Sequence, residues 1–271
     1  MSHNPQDSGE KLEPRLKAKK PRSLRITARL LVRAIRPFCM GLAATGVFKV
    51  TVVNRPTELV KDGPYVTLIN HRSYSDPFFL GGAMRRPVTF LSMADIWKWP
   101  VIGWFMRIMG HIPVDRKDPV SREKALRLAT EVAKHDGIVG IFGEGKMYDF
   151  DYDNPDRVIG PLQMGAIHIA FETGAPLLVC GMTGTSEVYP PYKGAKLNRK
   201  APVIVHFAPD LLHPDSYLKD AGVKPGTDPA EEQITQAKRW MLSDAELLMS
   251  MLIRTAPQMA ARQNPKRFAA K

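Results

Sequence analysis

"YVTLINHRSYSDPFFLGGAMRR", residues 65–86, changes character twice in a short space. Tyr65 to Ile69 are aromatic, β-branched or aliphatic, the composition of a short buried strand that ends at Asn70. Asp76-Pro77 then reads as a helix start, with Asp as N-cap and Pro at the first helical position. His71 falls in the loop between, and Asp76 can fold back toward it. A strand that runs into a helix through such a loop can orient an imidazole.

The same alternation continues along the chain. "VTFLS", "HIPV", "IVGIF", "PLLVCGM" and "PVIVHF" read as strands, and "DIWKWPVIGWFMRIM", "SREKALRLATEVAKHD" and "MGAIHIAFETG" as helices. Gly137 and Gly174 suit helix C-caps. Asp228-Pro229 opens a last helix expected to run to about Arg254, and Pro190-Pro191 makes residues 186–200 a loop. The expected fold class is α/β: a single domain with a mostly buried sheet flanked by helices, preceded by a basic amphipathic helix. The divisions are a flexible basic arm over 1–22, an amphipathic helical segment over 23–49, the domain over 50–256 and a basic tail over 257–271.

At 271 residues and 44% hydrophobic composition the chain can bury a sizeable core. Its two cysteines, Cys39 and Cys180, match no metal or redox spacing, and a reducing compartment is expected. No secretory signal is visible. The net charge is +12, and residues 1–36 contribute ten Lys or Arg against three acids. Few aromatics interleave with that charge and no nucleic-acid fold signature follows it, so nucleic acid is not the expected partner. Arg22, Arg25, Arg29, Arg33 and Arg36 recur at helical spacing, with Leu24, Ala28, Leu31, Val32 and Ile35 largely opposite. Such a helix lies in the headgroup layer of an anionic membrane, although it can also pack on a domain with its basic face in water. The uncharged run "PFCMGLAATGVF" is too short to span a bilayer. The chain is therefore expected on the cytoplasmic side of the cell membrane, peripheral or monotopic.

Three further stretches end at strand termini. "GHIPVDR" places Arg116 beyond one strand, "IVGIFGEGKMYDF" ends another at Glu144-Gly145-Lys146, and "APLLVCGMTGT" ends a third at Gly184-Thr185. Converging on one rim, they suit deprotonation of a substrate hydroxyl beside an anionic group. His71 is the natural base and Asp76 its orienter. Arg116 offers a forked donor, Lys146 a point charge, and Gly143 and Gly145 an open backbone for a ligand. Taken singly, each has a plainer reading: a capping Asp beside an exposed His, a surface Arg, a turn Glu.

As an ordered set, "NHRSYSD", "GHIPVDR", "FGEGK" and "APLLVCGMTGT" resemble the glycerolipid acyltransferases, above all the 1-acylglycerol-3-phosphate O-acyltransferase family. Asn70, His71, Ser73 and Asp76 match its first motif; Gly110, Ile112 and Arg116 its second; Phe142, Glu144 and Gly145 its third; Pro176 to Val179 its fourth. The likeness implies a membrane-associated O-acyltransferase. It would take an acyl thioester donor, acyl-CoA or acyl carrier protein, and a lysolipid acceptor, with no cofactor and no metal. By the same likeness His71 and Asp76 are catalytic, and Arg116, Glu144, Gly145 and Lys146 bind the acceptor. The chain departs from the family where Gly143 replaces Pro, Lys146 replaces Thr and Met147 replaces Arg, and "LQMGA" lacks a lysine common before Gly-Ala. Fewer cations suit an acceptor other than plain lysophosphatidate, such as a glycolipid or an amino-acid lipid. A non-catalytic lipid-binding protein on the same fold is the rival from outside the enzymes.

Overall fold

The structure is a computed structural model and describes residues 48–55, 63–84, 86–147, 158–190, 194 and 196–263. The basic arm and nearly all of the expected amphipathic helix lie outside the described residues. The strands are β1 Lys49–Val53, β2 Tyr65–Ile69, β3 Val88–Met93, β4 Ile112–Val114, β5 Ile138–Phe142, β6 Leu177–Thr183 and β7 Pro202–Phe207. The helices are α1 Asp76–Ala83, α2 Pro100–Ile108, α3 Pro119–Lys134, α4 Gly165–Thr173, α5 Thr185–Val188, α6 Pro214–Asp220 and α7 Glu231–Gln263, with a 3₁₀ turn at Ala94–Lys98.

The strands form one seven-stranded sheet in the order β1-β7-β6-β2-β5-β3-β4. Five of them, β6, β2, β5, β3 and β4, run parallel, so their C-terminal ends share one edge. β7 lies antiparallel to β6, and β1 parallel to β7. β2 is at the centre and all five of its residues are buried. Val66 and Leu68 face one core, with alanines of α3, α4 and the middle of α7. Tyr65 and Ile69 face the other, with Phe79, Leu80 and Ala83 of α1. The strand is apolar on both faces because both faces are covered.

Several boundaries differ from the sequence expectation, each for a local reason. β1, "KVTVV", was not anticipated; its Val53 is buried against Ile204, Ala256 and Ala260. The expected helix over 95–109 is broken at Trp99, since Pro100 disfavours helical backbone in the residue before it. The left-handed position after α3 belongs to Asp136 rather than Gly137, whose N–H instead closes onto Val132 O at 2.9 Å. The tail expected from Pro257 is helical as far as Gln263. Ala256 and Ala260 are buried against Val53 and Ile204 along that last stretch, so tertiary packing holds the helix past Pro257.

β4 has only three residues, and a side chain extends its pairing. His111, just before it, accepts the Phe90 N–H on Nδ1 at 3.2 Å, where a strand carbonyl would otherwise serve. Burial drives its pKa down to about 4. The unfolded chain therefore takes up this proton near the ordinary histidine pKa of about 6.5, before the folded chain does. Stability should fall as pH drops from about 6.5 to about 4, by up to roughly 3 kcal/mol, and change no further through this group below that. Denaturant unfolding across this range should show the slope in the parent chain and a weaker one in His111→Asn, which keeps an acceptor but does not titrate.

Candidate active site

The loop leaving β2 folds around one oxygen. Asp76 Oδ2 accepts the Arg72 N–H at 2.7 Å, the Ser73 N–H at 2.9 Å and His71 Nδ1 at 2.7 Å. An oxygen already receiving two backbone donors acts as an acceptor, so in the neutral ring Nδ1 carries the proton and Nε2 is the acceptor nitrogen. Asp76 is fully buried, and the His71 side chain is 12% exposed. Its ring stacks on Phe142, with centroids 4.1 Å apart, and Phe142 stacks on Phe90. The imidazole is thus fixed by a carboxylate at one nitrogen and an aromatic face beneath.

Asp76 was expected as the N-cap of α1, but Ser75 holds that position. Asp76 is the first helical residue and turns its carboxylate back into the loop. Ser73 secures the other side of the loop: its hydroxyl donates to Tyr189 O at 2.6 Å and accepts the Ser75 N–H at 3.1 Å. Asn70 pins the loop's root, donating to Met182 O at 2.9 Å and accepting the Met182 N–H at 2.7 Å. That paired contact carries the β2–β6 ladder one step past the strand end.

Glu144 has a task that the sequence reading did not assign. It is 5% exposed; Oε2 accepts the His71 N–H at 2.6 Å and Oε1 the Gly160 N–H at 2.9 Å. Burial pushes its carboxyl up, while the Gly160 and His71 N–H groups and the Arg72 charge pull it back. With both oxygens turned to protein donors, Glu144 holds the backbone under His71. Arg72 braces the same loop by donating from Nη2 to Val158 O.

The remaining predicted residues divide by position. Gly145 takes a positive φ of 68°, and its N–H closes a turn onto Phe142 O at 3.0 Å. Gly143 is buried, and a Cβ there would lie 2.8 Å from both Leu162 Cδ2 and Leu68 Cδ1, so its missing side chain leaves room for these two leucines. Its N–H extends the sheet to Ile69 O at 2.8 Å, a bond the family's proline could not make. Lys146 is exposed at the end of this turn. Arg116 is exposed past β4, in a turn held by Asp115 N–H to Ser121 Oγ and Lys117 N–H to Asp115 Oδ1, both 2.9 Å. Three strand spacings, roughly 14 Å, separate β4 from β2. The two cations therefore stand on the same edge as His71, Lys146 in the turn beside it and Arg116 at the far end.

Residues 49–183 match the family model described as Acyltransferase. The chain is 34% identical to a chloroplastic 1-acyl-sn-glycerol-3-phosphate acyltransferase of Brassica napus, over 54% of this chain and 40% of that one. It is 31% identical to a chloroplastic 1-acyl-sn-glycerol-3-phosphate acyltransferase of Arabidopsis thaliana, over 54% of this chain and 39% of that one. It thus spans less than half the length of these curated relatives. The crystal structure of the 1-acyl-sn-glycerophosphate acyltransferase PlsC of Thermotoga maritima has the same fold, with a TM-score of 0.55 at 20% identity over 84% of this chain and 83% of that one. Residues 49–183 thus carry an acyltransferase domain, similar to that of the 1-acyl-sn-glycerol-3-phosphate acyltransferases.

Proposed function

We propose that the chain transfers a fatty acyl group from an acyl thioester, acyl-CoA or acyl carrier protein, to the free hydroxyl of a lysophospholipid of the 1-acylglycerol-3-phosphate type. The observation that carries this reading is the 2.7 Å contact between His71 Nδ1 and the buried Asp76 carboxylate, which leaves Nε2 as the acceptor nitrogen. In the proposed reaction, Nε2 takes the proton of the acceptor hydroxyl as its oxygen attacks the thioester carbonyl. Asp76 stabilises the imidazolium that forms. The tetrahedral intermediate then expels the thiolate, which takes the proton back from Nε2. Ester and free thiol leave, and the base is restored. The acceptor's own oxygen is the nucleophile, so no acyl-enzyme intermediate is required.

Arg116 and Lys146 supply positive charge along the same rim for an anionic headgroup. Both proposed substrates carry acyl chains, and the basic amphipathic segment over 23–49 supports membrane association on the cytoplasmic side. Among the described residues no helix is long and apolar enough to cross a membrane. A second reading, an acceptor that is a glycolipid or an amino-acid lipid, draws on Met147 standing where the family has arginine. The test is to incubate the purified chain with labelled acyl-CoA or acyl carrier protein and a panel of lysolipids and glycolipids, and to read product mass. Acylated lysophosphatidate should predominate, and its absence beside another acylated lipid would favour the second reading.

His71→Ala should keep the folded circular-dichroism spectrum and lower acyl transfer by ~10²–10⁴. Asp76→Asn should also slow it, because the amide can present an N–H to Nδ1 and favour the wrong tautomer. Near-normal turnover by folded His71→Ala protein would remove the mechanism.

Glu144 should act through His71 and not through the acceptor. Glu144→Gln keeps one acceptor oxygen and should lower kcat by about tenfold with KM for both substrates nearly unchanged. Glu144→Ala should lose more and destabilise the fold by about 1–3 kcal/mol. A rise confined to the acceptor's KM would restore the ligand role first expected of this residue.

Arg116→Ala and Lys146→Ala should each raise the acceptor's KM far more than the donor's. Arg116 should show the larger effect, since a guanidinium can hold phosphate through two hydrogen bonds. Met147→Arg should improve use of lysophosphatidate if that lipid is the acceptor. Loss of activity on every acceptor would point to a less anionic headgroup.

A further inference from the structure

The least buried apolar stretch of the described chain is neither in the core nor in the candidate site. The 3₁₀ turn Ala94–Lys98 and α2 Pro100–Ile108 follow β3, and of the α2 residues only Gly103 is buried. Trp99 is 64% exposed, Val101 77% and Trp104 60%. Ile102, Phe105, Met106 and Ile108 are only partly covered. The stretch is nonetheless held firmly. A Cβ on Gly103 would lie 2.2 Å from Trp97 O, so α2 is seated directly on the 3₁₀ turn. The Trp97 indole donates to Ser92 Oγ at 2.9 Å, and the Arg107 guanidinium lies 5.9 Å from the Trp97 ring centroid. This is a fixed apolar platform on the outside of the described domain.

We propose that this platform, with Trp99, Val101 and Trp104 at its crest, is a membrane-docking surface that inserts into the headgroup boundary of an anionic bilayer. Three observations favour lipid over other occupants. The exposed aromatics are tryptophans, whose apolar ring and polar N–H suit the layer between hydrocarbon and water. Arg107 stands exposed beside them, and Lys98, paired with Asp95 Oδ1 at 2.7 Å, adds no net charge, so the face is net positive, which an anionic headgroup layer complements and a second copy of the same face would oppose. The turn leaves β3 at the C-terminal edge of the parallel strands, the edge that carries His71, so a bilayer there adjoins the site. The inference rests on the membrane-associated reading above and adds where the membrane is met.

The full chain would be mixed with vesicles of phosphatidylcholine and phosphatidylglycerol whose acyl chains carry bromine, a contact quencher of indole fluorescence. The intact chain should float with the vesicles and be quenched. Trp99→Phe/Trp104→Phe, which keeps the apolar crest, should still float but lose most of the quenching. Trp99→Ser/Val101→Ser/Trp104→Ser should lower vesicle partitioning by about tenfold or more. Flotation of the intact chain without quenching, and equal flotation of the triple variant, would overturn this surface while leaving membrane association to the basic segment. Failure of the intact chain to float would overturn both. A vesicle-free dimer in sedimentation velocity, lost in the triple variant, would assign the face to a second copy and overturn the proposal.

Discussion

One carboxylate oxygen organises the candidate site. Asp76 Oδ2 collects two backbone N–H groups and one imidazole N–H, and the loop from His71 to Asp76 closes around it. Hydrogen bonds to a charged acceptor contribute about 1.5–3 kcal/mol each, enough in combination to offset much of the cost of burying the carboxylate. The consequence for chemistry is directional: the proton lies on Nδ1, so Nε2 is the nitrogen left to accept one. Every other contact around the loop preserves that arrangement. Asn70 fixes where the loop leaves the sheet, Ser73 ties it to Tyr189, Phe142 supports the ring face, and Glu144 holds the His71 backbone from below.

The parallel sheet explains why these pieces meet. Side chains from three strand ends can converge only if those ends point the same way, and β2, β5 and β6 are adjacent and parallel at the centre of the sheet. β4 is a short outer strand, which places Arg116 away from the imidazole but on the same rim. A substrate spanning a hydroxyl and an anionic headgroup fits such a division of base and cation. Gly143, Lys146 and Met147 set this chain apart from the motif, and in the proposed reaction Lys146 and Met147 bear on the acceptor rather than on the proton transfer.

Much of this was legible in the sequence, because the buried central strands carry strong local signals. β2, β5 and β7 begin and end where their apolar runs do, and the pairing of His71 with Asp76 follows from a short loop between a strand and a proline-marked helix. The misses share a cause: tertiary contacts decided them. Asp-Pro resembles a cap, yet the Asp76 carboxylate gains more from three loop donors than from a helix end. Pro257 resembles a helix stop, yet Ala256 and Ala260 are buried against the outer strands. Glu144 between glycines resembles an exposed turn residue, and its hydrogen-bond partners, His71 and Gly160, are distant in sequence. Gly143 resembles open backbone, but Leu68 and Leu162 lie where a side chain would stand.

The central claim is that Asp76 fixes His71 with Nδ1 protonated and Nε2 free to accept the substrate's proton. It can be read without turnover, from nitrogen-15 NMR of the full chain labelled at histidine, with His71 assigned by comparison with His71→Ala. In the neutral ring, His71 should show a protonated Nδ1 with a strongly downfield proton and an unprotonated Nε2, and Asp76→Asn should abolish that pattern. A neutral His71 carrying its proton on Nε2, unchanged by Asp76→Asn, would contradict the account.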